Sequence, residues 1–111
     1  MEVTGMAKYV LLYSGGSMGA TQADQQKQMQ AWGSWFGKLG KSLVDGGNPF
    51  SDKVKTVASN GSAKDGAAGQ RATGYSIVEA NSVDAAAELA KGCPVLSSGG
   101  QITVYETFNA M

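Results

Sequence analysis

The sequence predicts an α+β domain in which an antiparallel four-stranded sheet carries two helices on one face. Two stretches place apolar residues at helical steps of three and four, and short runs of β-forming residues flank them in the order β-α-β-β-α-β. Glycine accounts for 16 of the 111 residues, about twice the ordinary ~7%. It is not periodic: it gathers at Gly15-Gly16, Gly46-Gly47, Gly66 with Gly69, and Gly99-Gly100, as turns between short elements do.

Residues 1–5 show no pattern and are expected to form a disordered N-terminal extension, leaving 6–111 as a single domain. Lys8-Tyr9-Val10-Leu11-Leu12-Tyr13 is a run of β-formers stopped by Ser14-Gly15-Gly16. It is apolar on both alternating faces, as in a strand covered on both sides. Helical spacing begins at Thr21, which with Asp24 resembles a capping pair. Met29, Trp32, Phe36, Leu39 and Leu43 then form one apolar stripe, with Trp35 at its rim. Gly33, Gly37 and Gly40 weaken this helix by up to ~1 kcal/mol each relative to alanine, a cost that close packing on a sheet would explain. Asp45-Gly46-Gly47-Asn48-Pro49 ends it.

Val54 to Ser59 reads as the second strand, Asn60 to Thr73 as a long loop, and Gly74 to Ala80 as the third strand. Asn81 or Ser82 caps a short helix whose inward residues are Val83, Ala86, Leu89 and Ala90, stopped by Gly92 and Pro94. Gln101 to Phe108 is the fourth strand, Ile102 and Val104 alternating with Thr103 and Tyr105. The order is that of the ferredoxin-like βαββαβ arrangement, with the first and third strands central. Two helices cover only one face of four strands. The other face is therefore expected to meet the same face of a second copy in a homodimer; the alternative is a monomer with a modestly apolar open face.

Composition narrows the function classes. Nine basic and nine acidic residues balance, so no basic field draws nucleic acid or an anionic membrane. Histidine is absent, which removes the commonest general base and metal ligand. The single cysteine cannot form an intramolecular disulfide, and no carboxylate cluster has metal-binding spacing. No cofactor or metal is expected. No apolar run approaches the ~18 residues of a membrane span and no signal-peptide layout is present, so the expected setting is the cytoplasm.

Several segments form a recognisable series. These are Lys8-Tyr9-Val10-Leu11-Leu12-Tyr13, the Trp-rich helix ending in Gly40-Lys41-Ser42-Leu43-Val44-Asp45-Gly46, and the loop with Asp65-Gly66. Gly74-Tyr75-Ser76-Ile77-Val78-Glu79-Ala80, the Asp84-Ala85-Ala86 helix, and Ala90-Lys91-Gly92-Cys93-Pro94 before Gly99-Gly100-Gln101-Ile102-Thr103-Val104 complete it. In order and spacing they resemble the YCII-related proteins, in particular the DGPF-domain branch, over nearly the whole chain from Met6. The resemblance implies a dimeric α+β barrel, the fold also of muconolactone isomerases and small cofactor-light monooxygenases. Many members of the family have no established activity, and DGPF proteins are often encoded beside extracytoplasmic-function sigma factors. The chain departs from the family at defined places. Asp65-Gly66-Ala67-Ala68 stands where the branch's name-giving tetrapeptide falls, so only its Asp-Gly is kept. A His–Asp pair proposed as catalytic in the other branch falls at Met29 and Cys93, neither of which can serve as base or orienting carboxylate. The last strand reads Tyr105-Glu106 in place of the usual Arg-Pro.

Among residues able to carry chemistry, Glu79 shares a strand face with Tyr75 and Ile77, and Glu106 with Ile102 and Val104. Either, desolvated in an apolar cavity, would gain a pKa suited to proton transfer; at a solvent rim or beside a lysine it would not. Asp45 is a third candidate base, or an Asx-turn residue. Tyr9, Tyr13, Trp32, Trp35, Tyr75 and Tyr105 are candidates to line a pocket for a flat ligand, or to pack the core and an interface. Asp65 and Arg71, in the long loop, are candidate polar contacts, Arg71 for an anionic group. Cys93 reads as a buried structural thiol. Three functions remain: a dimeric domain binding a small apolar or aromatic metabolite, a cofactor-independent isomerase, lyase or monooxygenase, and an interaction module linked to transcription regulation. A buried carboxylate facing a cavity distinguishes the second, and an apolar patch left exposed after dimerisation the third.

Overall fold

A computed structural model describes residues 6–17 and 19–109; the expected extension at residues 1–5 lies outside them. The elements are β1 (Ala7–Ser14), α1 (Gln22–Leu39), β2 (Leu43–Asp45), β3 (Lys55–Val57), β4 (Ala63–Asp65), β5 (Ala72–Ala80), α2 (Val83–Ala90) and β6 (Gln101–Glu106). Single turns of 3-10 helix follow α1 at Gly40–Ser42 and α2 at Pro94–Leu96. β1, β2, β5 and β6 form one antiparallel sheet in the spatial order β2-β5-β1-β6, and β3 and β4 form a separate hairpin.

The central strands are the two with apolar residues on both faces. Tyr9, Leu11 and Tyr13 of β1 stand opposite Val78, Ser76 and Gly74 of β5 on one side, and opposite Glu106, Val104 and Ile102 of β6 on the other. Residues directly opposite in antiparallel strands share a face, so these make up one side of the sheet. Both helices pack there. α1 contributes Trp35 and Leu39, α2 contributes Ala86 and Ala90, and the segment after α2 adds Cys93 and Val95 to the core. The opposite face holds Val10, Leu12 and Ile77, half-buried, with Tyr105 53% exposed. Among the described residues no helix or strand covers it, and the sheet does not close into a barrel.

Both helix caps form as the sequence predicts. The Thr21 hydroxyl accepts from the Asp24 N–H at 3.0 Å, and the Ser82 hydroxyl from the Ala85 N–H at 3.0 Å. Four expectations need correction. First, the helix ends at Leu39, because Gly40 turns the chain with a φ of 53°; Leu43–Asp45 then becomes the edge strand β2 against Val78 and Ile77. Second, the strand expected at Val54–Ser59 forms as Lys55–Val57, but it pairs with Ala63–Asp65, inside the segment expected to be loop, and does not join the main sheet. Third, the buried anchor of α1 is Trp35 and not the stripe residue Met29, which is 65% exposed. The helix contacts the sheet through Trp32, Trp35, Phe36 and Leu39, an arc shifted toward α2. Val83 is likewise 45% exposed at the open start of α2. Fourth, a Cβ at Gly33, Gly37 or Gly40 would meet nothing within 4 Å, so these glycines do not serve close packing.

Candidate functional site

A pocket of about 690 Å³ opens between α1 and the end of the sheet where β1 finishes and β5 begins. One wall is a face of α1: Met29, Trp32, Gly33 and Phe36 recur at i, i+3, i+4 and i+7, with Gln28 beside them. The floor is Tyr13 and Gly74, neighbours across β1 and β5. Trp32 meets Tyr13 edge-on, ring centres 5.3 Å apart at 71°, and Phe36 lies 5.8 Å from Trp32. The remaining sides are the turn after β2, Gly46 to Pro49, and the turn after β1, Gly15 to Ser17, backed by Val95 and Ser98.

The two turns explain the glycine pairs. Gly47 has a φ of 71°, and a Cβ there would lie 1.8 Å from the Tyr75 carbonyl oxygen, so no other residue fits. The Asp45 carboxylate holds this turn by accepting from the Gly47 N–H at 2.8 Å. At the other turn, the Thr73 hydroxyl donates to the Gly15 carbonyl at 3.1 Å and the Ser17 N–H donates to the Ser98 hydroxyl at 3.2 Å.

Beneath the floor runs a buried polar chain. The Tyr13 hydroxyl donates to Ser76 Oγ at 2.7 Å, and Ser76 donates to the Gly46 carbonyl at 2.7 Å. Ser76 is completely buried, and these two bonds satisfy it and tie the pocket floor to the β2 turn. Burial pushes the Tyr13 phenol well above its ordinary pKa, and its hydrogen bond with Ser76 opposes the shift only in part. Cys93 is buried as the sequence suggests, and burial pushes its thiol up to about 11. Both groups are neutral near pH 7.

Of the candidate ligand contacts, Tyr13, Trp32 and Tyr75 come together at the pocket. By strand alternation the Tyr75 ring leans toward the open face, where it stacks on Phe50 at 5.8 Å. Trp35 is a core residue whose indole N–H donates to the Leu89 carbonyl at 3.1 Å. Tyr9 is buried four residues back along β1, its hydroxyl donating to Glu106 at 3.3 Å. Burial raises the Tyr9 phenol pKa, and the Glu106 carboxylate adds to the shift. Tyr105 lies on the open face. Asp65 pairs with Lys55 at 2.6 Å in the exposed hairpin, and Arg71 donates to the Ser51 carbonyl at 2.8 Å.

The candidate bases are also placed apart from the pocket. Glu79 sits on the open face opposite Lys8, Glu106 at the Tyr9 end of the sheet, and the Asp45 carboxylate is engaged by its own turn. The described lining residues contain no Asp, Glu, Lys or Arg. Its polar groups are neutral, and the side-chain amides of Gln28 and Asn48 make no hydrogen bond among the described residues. Among those residues no group of three or more His, Cys, Asp or Glu is placed to hold a metal ion, and no helix is long and apolar enough to cross a membrane.

Sequence reasoning did not single out Gln28, Gly33, Asn48 or Val95 as site residues. Two of the glycine pairs, Gly15-Gly16 and Gly46-Gly47, were the available signal, since each marks a turn that lines the pocket. No family model matches this chain, and no curated protein matches it.

Proposed function

We propose that the protein binds a small, uncharged, apolar or aromatic metabolite in the pocket between α1 and the end of β1 and β5. The observation that carries this is the lining: Tyr13, Trp32 and Phe36 supply ring faces and edges, Met29 a deformable thioether, and every polar contributor is neutral. Burying an ion there without a counter-charge is costly, whereas a planar neutral molecule gains aromatic contact and meets the unpaired amides of Gln28 and Asn48. Catalysis by Glu79, Glu106 or Asp45 draws no comparable support, because none of the three carboxylates faces this pocket.

In this reading the domain is ferredoxin-like and works as a homodimer of the YCII-related kind, its open sheet face covered by that of a second copy. The strand order with β1 and β5 at the centre and the apolar row Val10, Leu12 and Ile77 support it. Two such faces together form the barrel that one chain leaves open.

The experiment is a thermal-shift comparison of matched pairs: indole and 2-naphthol against benzoate and 2-naphthoate. A ligand at 100 times its dissociation constant adds about 2.7 kcal/mol, roughly a 10 °C rise in a domain this small. Stabilisation by the neutral members alone is expected. A response confined to the anions overturns the reading.

A further inference from the structure

We infer that Gly33 sets the size of the ligand this pocket accepts, an inference that rests on the pocket being a binding site. Gly33 lies inside the 18-residue helix α1, where glycine is the least favourable residue except proline. The usual structural reasons for glycine are missing: its φ is not positive, and a Cβ would meet no atom within 4 Å. What it does face is the pocket. Met29, Trp32, Gly33 and Phe36 form one helix face, so a side chain at position 33 grows into the space between those three larger residues. The empty Cβ position therefore belongs to the volume a ligand occupies, at the cost of helix stability.

Gly37, one turn further along, supplies the control. It too meets nothing within 4 Å of its Cβ position, but it does not line the pocket, and nothing in the structure explains it. Substitution at either site relieves the same helix penalty; only substitution at Gly33 consumes ligand space.

The test uses N-phenyl-1-naphthylamine, an uncharged fluorophore that brightens in apolar surroundings, titrated into the wild-type chain, Gly33→Ala, Gly33→Leu, Gly33→Phe and Gly37→Leu. Affinity is expected to fall in steps along the Gly33 series, by about tenfold or more at leucine, since a misfitted group in an apolar site is worth 10- to 200-fold. Thermal melts of the Gly33 variants stay at or above wild type, and Gly37→Leu binds the probe as wild type does. Equal affinity across the Gly33 series overturns the inference while leaving the pocket reading intact. A wild-type chain that binds no probe overturns the pocket reading and the inference together.

Discussion

Replacing Trp35 and Trp32 in turn separates the core of this domain from its pocket wall. Trp35 is 4% exposed, packs against Gly92, where a Cβ would come within 3.1 Å of its ring, and gives its indole N–H to the Leu89 carbonyl. Truncation to alanine removes a fully buried aromatic and leaves that carbonyl unpaired, a loss of about 3–5 kcal/mol for the side chain and about 1 kcal/mol for the bond. Against a total stability of about 5–15 kcal/mol this leaves a measurable fraction of the chain unfolded. Trp35→Phe keeps a ring and loses mainly the hydrogen bond and some volume, about 1–2 kcal/mol, so it stays folded. Trp32 is only half-buried and borders the pocket; Trp32→Ala costs about 1–2 kcal/mol, because part of its surface is already in solvent. Urea unfolding followed by far-UV circular dichroism avoids the loss of the fluorescent reporter. A Trp32→Ala variant less stable than Trp35→Ala would refute this division.

Two further predictions follow from the open face and the buried acids. Sedimentation of the wild-type chain is expected to give a dimer of twice 11.4 kDa, and Ile77→Lys, which puts a charge at the centre of the open face, a folded monomer; a wild-type monomer at micromolar concentration contradicts the two-sheet barrel. The Cys93 thiol rises from 9.0 to about 11 on folding. Above pH 9 the unfolded chain gives up this proton while the native one keeps it, so stability is complete below that value and is lost as pH rises through about 11. The loss is roughly 1–2 kcal/mol after allowance for solvent screening, with Tyr13 adding to it at still higher pH. Urea midpoints from pH 7 to 10.5 are expected to fall for wild type and to flatten for Cys93→Ala; parallel profiles contradict the assignment.

The central pair of strands was legible because Tyr9, Leu11 and Tyr13 alternate with Val10 and Leu12, and no surface strand needs apolar residues on both sides. β2 was not legible. Leu43-Val44-Asp45 continues the helical spacing from Leu39, and three residues are too few to show a period of two; pairing with Val78 and Ile77 decides their conformation. The exchange of Met29 for Trp35 as a helix contact has a similar cause. Tryptophans at positions 32 and 35 suit two overlapping arcs of one helix, and the position of α2 selects the arc. The pocket was partly legible: Tyr13, Trp32 and Tyr75 were foreseen, but Gly33, Gly47 and Val95 meet only after α1, the turn after β2 and the segment after α2 have packed.

The pocket at the end of the sheet is the proposed place where a small neutral molecule binds. The most direct measurement is a ¹H–¹⁵N correlation spectrum of the labelled chain, recorded with and without saturating indole. Shift changes concentrated at Gly15–Ser17, Trp32–Phe36 and Gly46–Asn48 are the predicted result. Changes confined to Val10, Ile77 and Tyr105 on the open face, or none at all, contradict it.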